Sequence, residues 1–474
     1  MLHNGLDIDK VMHNGEEITS YFWNGEELFS QLLEVDSFGA LGDGVTDDTL
    51  AIQTAMIEAS STNKTLLFSE DKTYKITSTL NMKSNLHIRG YGSKLFRASS
   101  ESQTNMMITT DSEYVGNVSI KGLTFESVND RTGSGHGVGA LVSNINAIHF
   151  TGVTGLTIED VNCYNMNNGV KFGAAAHVQI NENIIVKNLN VYDSLTPILM
   201  NTVNNFSMIG GILDARQGKT EYLHGIYIDK DCSNITLDGV LIRKSPGACV
   251  HIFNGYTGTS PASNVKILNS QLEDARVGFV IFSGANNIEV LNTTIKRADL
   301  AFSISNAHDV TIDNVAISEA TNITTVPKGA FRITNMYRPI IKNLTIECTG
   351  MTENLFNLYG NFIDAHIDNV VATNVNNIEL MQSATTAVVT NLLMENSRFN
   401  YTSVTFTRVK LRNPATTALF RNNEFLNSGS KLSALFHNFT NTGITLQGNQ
   451  FSGLTSLVNS GTDIVLIDNI NLTP

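Results

Sequence analysis

Val310-Thr-Ile312-Asp-Asn314-Val-Ala-Ile317 is one instance of an eight-residue phrase, apolar-x-apolar-x-(Asn/Gly/Asp)-x-x-apolar. Comparable phrases begin at 118, 156, 184, 206, 235, 265, 288, 310, 339, 365, 387, 418, 444 and 465. Their spacings run from 21 to 38 residues, the range of stacked-repeat folds. Within each phrase the apolar positions alternate, which is the period of a strand with one buried side. The fifth position is Asn188, Asn269, Asn292, Asn314, Asn343, Asn369, Asn391, Asn422 and Asn469, or Gly122, Gly210, Gly239 and Gly448, or Asp160. These types tolerate a positive φ, so the spacing predicts one left-handed residue making a bend between two short strands, once per turn of a coil.

Strands stacked on the next coil lie about 4.8 Å apart and pair in parallel. The expected fold is therefore all-β: a single-stranded, right-handed parallel β-helix over 118–474, with buried Asn side chains hydrogen-bonding along the column of bends. Residues 1–33 carry a smaller repeat, with Asn4-Gly5, Asn14-Gly15 and Asn24-Gly25 between short strand-like runs, which predicts a small β-hairpin meander. Such a piece buries too little surface to stand alone, and an attachment module is the reading taken for it. Residues 34–117 read as a capping helix and the start of the coil. Thr46, Asp47 and Asp48 supply an N-cap and early-turn acids, and Leu50, Ala51, Ala55, Met56 and Ile57 follow helical spacing.

The chain has 474 residues, of which 42% are hydrophobic and 16% charged, with a formal net charge of −13. That balance, without a Lys/Arg run, excludes nucleic acid and acidic membrane surfaces as partners. No segment reads as membrane-spanning or as a signal peptide, so synthesis in a cytoplasm is expected. The four cysteines, at 163, 232, 249 and 348, lack metal-ligand or disulfide spacing and read as buried thiols. No metal or cofactor is expected.

The stretch Phe38-Gly39-Ala40 through Gly42-Asp43-Gly44 to Thr46-Asp47-Asp48-Thr49, with Ala51-Ile52-Gln53 and Ala55, resembles the opening motif of the pectate-lyase-like β-helix superfamily, especially phage tailspikes and polysaccharide depolymerases. The resemblance implies a right-handed β-helix, usually a homotrimer on a virion tail, that binds and often cleaves a bacterial surface polysaccharide. It also implies attachment to other tail or baseplate proteins, here through the N-terminus. In that family the acids matching Asp43, Asp47 and Asp48 belong to the cap. The catalytic phrases of plant and fungal polygalacturonases have no counterpart here. Gly133-Ser134-Gly135-His136-Gly137 is similar to one of their elements but reads as a loop.

Chemistry is sought on the outward columns. The residues following successive phrases are Asp214, Arg243, Glu273, Lys296 and Ser318, then Ala215, Lys244, Asp274, Arg297 and Glu319, alternating in sign. An ion-pair ladder and a catalytic row both fit that alternation. The same region holds Glu221, Tyr222, His224, Tyr227, Asp229, Asp231, His251 and Arg276. Hydrolysis of a glycoside needs two carboxyl groups, and carboxyls two coils apart would stand about 9 to 10 Å from each other, near the inverting separation. Asp229 with Glu273 or Asp274 is the expected catalytic set. His224, Tyr227, Lys244, His251 and Arg276 are the expected substrate-binding residues, with Phe253 and Tyr256 as further stacking platforms. A lyase, drawing on Arg243, Lys244, His251 or Arg276, and a non-catalytic adhesin binding a glycan or teichoic acid are the alternatives. Loops at 130–139 and 255–263 are the expected recognition loops.

Overall fold

The computed structural model describes residues 32–98, 106–110, 114–128, 145–173, 179–215, 223–253, 260–281, 284–319, 329–376, 378–403, 409–413, 416–428, 432–438, 443–460 and 464–471, and the strand backbone of 2–30. From Leu32–Glu34 to Ile470–Asn471 every strand pairing is parallel, so the described coils form one continuous parallel β-helix. Each coil contributes three strands. The first face holds the strand before the bend, as where Ser263–Leu268 pairs with Asn286–Leu291, which in turn pairs with Ala307–Asp313. The second face follows the bend, as where Leu241–Arg243 pairs with Gln271–Glu273 and then Thr294–Lys296. The third face carries Ile198–Met200, Ile226–Ile228, Ala248–Ile252 and the later Val277–Ile281 run in register.

The bends obey the expected stereochemistry. Gly122, Asp160, Asn188, Gly210, Gly239, Asn269, Asn292, Asn314, Asn343, Asn369, Asn422 and Gly448 all have φ between 48° and 67°. Two phrases were framed wrongly. In the coil read from 387, Met394 is the partner of Ile367 and Phe420, so the bend is Asn396, at φ 52°. In the last coil Gln447 pairs with Ile467, which makes Asp468 the bend rather than Asn469. The first error has a physical source. A second left-handed corner precedes the first face, at Asn117, Gly155, Asn183, Asn205, Asn234, Asn264, Asn287, Asp309, Arg338, Asp364 and Asn391, and it draws on the same residue types.

Amide ladders climb both corners. Asn292 donates to Asn269 at 3.2 Å and accepts from Asn314 at 2.9 Å, while Asn234, Asn264 and Asn287 form the second ladder. These ladders are exposed, contrary to the expectation of buried ones. The buried amide ladder runs one residue further on, through Ser397, Asn423 and Asn449, whose side chains also satisfy the backbone of the rung below.

Inward side chains stack rung on rung. Phe302, Phe331 and Phe356 lie parallel with centroids 4.9 and 4.8 Å apart, the strand spacing itself. All four cysteines are buried and unpaired, and burial pushes the thiols of Cys232, Cys249 and Cys348 up to about 12.

A helix at Thr49–Thr62 covers the N-terminal end, burying Ile52, Ala55, Met56 and Ala59. Leu50 and Ile57, read as part of its buried stripe, point outward, with Leu50 80% exposed. The acids are structural, as the resemblance implied. Asp48 accepts from the backbone of Leu41 and Gly42, Asp47 from that of Thr49, and Asp43 from Val45 and Thr46. Before the coil, Leu2–His3 pairs with Leu6–Asp7, Met12–His13 with Glu16–Glu17, and Ser20–Trp23 with Glu26–Ser30, all antiparallel. No described helix is long and apolar enough to cross a membrane.

Candidate functional site

The third face and its borders gather most of the chemistry-bearing residues. Its strands have one outward side chain at each centre, giving the column Lys171, Leu199, Tyr227, His251, Val280, Ser303 and Arg332. Tyr227 and His251 are thus neighbours on adjacent rungs, with ring centroids 5.0 Å apart, and Phe253 stands 5.7 Å from His251 and 6.1 Å from Tyr227.

His224 precedes the Tyr227 strand and completes this group. Gly225 brings its chain against the next rung: a Cβ there would lie 2.2 Å from Ile242 Cγ2 and 2.7 Å from the Cys249 carbonyl. The Ala248 N–H donates to His224 Nδ1 at 3.0 Å, so in the neutral ring the proton resides on Nε2, which donates to His251 Nδ1 at 2.7 Å. That places the His251 proton on its own Nε2. Burial holds His224 down to about 2, with the nearby His251 adding to the effect, and burial holds His251 down to about 4. Both imidazoles are neutral at physiological pH.

Asp229 follows the same strand and stands at the border of the third face. It is 6% exposed, and its Oδ1 is buried without a hydrogen-bond partner. Burial raises its pKa. The charge and backbone N–H of Lys230 offset part of that rise, and the Asp231 carboxylate adds to it. Asp231 accepts the Ser260 N–H at 2.8 Å. One rung below Asp229, Asn201 also has a buried side-chain oxygen without a partner.

The charged columns lie on the opposite border, where the second face turns into the third. Arg243 and Lys244 both reach Asp214, which is 3% exposed, at 3.1 and 2.7 Å. Arg297 bridges Glu273 at 2.7 Å, Asp274 at 2.6 Å and Glu319 at 3.3 Å. The ladder reading of the sign alternation therefore holds. Lys244, Asp274, Arg297 and Glu319 take φ of 51° to 56°, a third left-handed corner in which Lys, Arg and Glu stand beside one Asp although those three types seldom adopt it.

Among the sequence-derived candidates, His224, Tyr227 and His251 come together. Lys244 and Arg276 stand at the corner leading into the same face, where the Arg276 N–H meets the Ser245 carbonyl. The expected carboxylate pairing is not assembled. Asp229 and Glu273 are two coils apart along the axis, as counted. They flank the third face from opposite sides, and a strand such as Val277–Ile281 runs between those borders, about 16 Å of extended chain. Asp274 is likewise on the far border and already bound by Arg297. Glu221, Tyr222, Tyr256, the 133–137 element, the 130–139 loop and most of the 255–263 loop lie outside the described residues. The reading from sequence passed over Asn201, and counted Asp231 in the cluster without giving it a role. An acid two residues beyond Asp229 is a signal that was available.

A parallel coil capped by a short helix, with a polar outward face flanked by buried carboxyl groups, is the architecture of a parallel β-helix protein, and its N-terminal third is similar to pectate-lyase-like proteins. Residues 32–188, about a third of the chain, match the family model described as rhamnogalacturonase A/epimerase, pectate lyase-like. A stretch of 51 residues is 49% identical to a glucan 1,3-β-glucosidase of Cochliobolus carbonum, covering 11% of this chain and 6% of that relative. Among solved structures, the pre-mature gene product 12 of bacteriophage phi29 superposes with a TM-score of 0.61 at 14% identity, over 93% of this chain and 72% of that one. The A-module of the mannuronan C-5 epimerase AlgE6 from Azotobacter vinelandii superposes at 0.55, also at 14% identity, over 93% and 99%. At such identities the likeness is one of fold.

Proposed function

We propose that this chain is the β-helix of a phage tailspike or receptor-binding protein that binds a bacterial surface polysaccharide along its third face and cleaves it by glycoside hydrolysis. The observation that carries the reading is Asp229, a buried carboxyl with an unpartnered oxygen and a raised pKa, two residues along the chain from Tyr227, whose neighbour on the next rung is His251. A carboxyl whose pKa is raised by burial keeps its proton to higher pH, the property required of a group that delivers a proton to a departing glycosidic oxygen. Asp231, anchored by the Ser260 N–H, supplies the second carboxylate in place of Glu273 and Asp274. The neutral His224–His251 pair fixes the orientation of the His251 ring beside Tyr227, and the Tyr227 and Phe253 rings supply apolar surface for pyranose faces.

In this reading the coil winds right-handed, the hand parallel connections take. Three rods associate side by side, and the N-terminal hairpins join them to the tail. A non-catalytic adhesin is the second reading. It is favoured by the ladder of charges, in which Arg297 neutralises the acids nearest the face.

The test is reducing-end release from isolated host surface polysaccharide. Release by the native chain and none by Asp229→Asn, with binding retained, supports hydrolysis. Binding without release by the native chain leaves the adhesin, and a rise in absorbance from unsaturated uronate moves the assignment to a lyase.

A further inference from the structure

Five coils beyond the Tyr227 strand, the corner between the second and third faces opens into a cleft of about 610 Å³. Thr349, Met351, Thr352, Asn374, Asn376 and Thr402 line it. The position continues the charged corner: Ile317 pairs with Ile346, so Glu319 is stacked against Cys348, and Glu347 pairs with Thr373, so Cys348 is stacked against Asn374. The character of the corner changes at this point. Below it stand Lys244, Asp274, Arg297 and Glu319; within it the lining groups are hydroxyls, amides and a thioether.

The cleft is a built feature rather than slack between rungs. The Met351 N–H returns to the Cys348 carbonyl at 3.0 Å, and Gly350 at φ 81° turns the chain. At the far end of the loop, Asn354 donates to Asn357 at 3.0 Å and to Gln382 at 2.6 Å while accepting the Glu379 N–H. Glu353 is fixed by Arg332 at 3.0 Å. The carboxylate of Glu347, just below the cleft, is engaged by Thr349 and Asn374, which hold it below the usual carboxylate range although burial opposes them. An anion entering here meets an ionised carboxylate and no cation among the lining residues.

We infer that this cleft is a distal subsite for uncharged sugar units of the same polysaccharide that engages Tyr227 and Asp229. The Thr349 hydroxyl and Asn374 amide N–H are engaged by Glu347, so the Thr402 hydroxyl and Asn376 amide are the groups that match the paired donors and acceptors of a neutral pyranose, and Met351 supplies an apolar floor. Five coils at the strand spacing put the cleft about 24 Å along the axis from Tyr227. A polymer lying on the third face spans that distance, so the cleft adds a second point of attachment whose effect is multiplicative rather than independent. The inference rests on the reading that the chain grips a polysaccharide.

The experiment uses the full chain and a size ladder of fragments made by partial acid hydrolysis of the host surface polysaccharide, with Kd measured by calorimetry on the Asp229→Asn background. The native cleft should give a step of about tenfold or more in affinity once fragments are long enough to span both places. Thr402→Phe, which fills the cleft from an exposed position, and Asn376→Ala should each remove that step and leave the affinity of short fragments unchanged. A smooth length dependence, or a step that survives both substitutions, overturns the distal subsite and leaves the third-face reading intact. Failure of every fragment to bind the Asp229→Asn chain overturns both.

Discussion

His224 Nε2 stands 2.7 Å from His251 Nδ1, with the Ala248 N–H closing the other side of His224, so two neutral imidazoles on adjacent coils share one directed proton. Charging either ring breaks that arrangement, because the added proton sets His251 Nδ1–H against His224 Nε2–H, or His224 Nδ1–H against the Ala248 N–H. This gives the folded chain a pH dependence of definite sign. The unfolded imidazole binds a proton near 6.5, and the folded His251 does so only near 4. Between those values the unfolded state holds more protons, so stability falls as pH falls from 6.5 toward 4. For His251 that displacement corresponds to about 3 kcal/mol. Thermal melts from pH 8 to pH 4 should show the decline beginning near 6.5, and His251→Gln with His224→Gln should flatten it. A decline of equal depth in the double variant assigns it to other groups.

Asp229 gives the opposite sign. Its folded pKa is raised by burial, so the stability it contributes is present below the ordinary carboxylate range and is lost as pH rises through its folded value. At neutral pH the native chain carries this carboxyl at a cost. Asp229→Asn should therefore melt at the same temperature as the native chain or higher, while polysaccharide cleavage disappears. A fall of several degrees in Tm would make Asp229 a structural group instead.

How much of this was legible in the sequence follows from what each corner demands. Asn269, Asn292 and Asn314 announce a left-handed bend because their side chains tolerate it, and the alternating apolar residues around them announce the strands. Lys244, Arg297 and Glu319 adopt the same conformation without announcing it, because ion pairs and stacking hold them there. The phrase also fixes register only for the first and second faces. The connection from second to third face differs in length from coil to coil, with four residues between Arg243 and Ala248 but three between Glu273 and Val277. Counting coils therefore placed Asp229 and Glu273 at the right height and on the wrong sides. The His224, Tyr227 and His251 group was legible because its members lie within one coil spacing in sequence.

Arg297 tests whether the charged corner is structural. It touches Glu273, Asp274 and Glu319, of which Glu273 is 9% exposed. Removing the guanidinium in Arg297→Ala leaves the nearly buried Glu273 carboxylate without its cation, with only the Gln271 amide still donating to it, a loss of about 1–3 kcal/mol. Urea unfolding should register that loss. The rate of cleavage per folded molecule should be unaltered, since Arg297 is across the third face from Asp229.

Asn292 isolates the bend itself. At φ 50° it pays little for a conformation that costs an ordinary side chain about 1–2 kcal/mol. It also donates to Asn269 and accepts from Asn314. Asn292→Gly keeps the conformation and loses the two ladder bonds; Asn292→Ala loses both. The two exposed bonds contribute little beside solvent, so the glycine variant should stay near the native chain and the alanine variant should be less stable than it by about 1–2 kcal/mol. Unfolding rates in urea are the measurement of choice, because a long coil need not unfold in one step and the opening of a single bend shows first in the rate. Equal destabilisation by Gly and Ala would mean that the ladder, and not the left-handed corner, holds the turn.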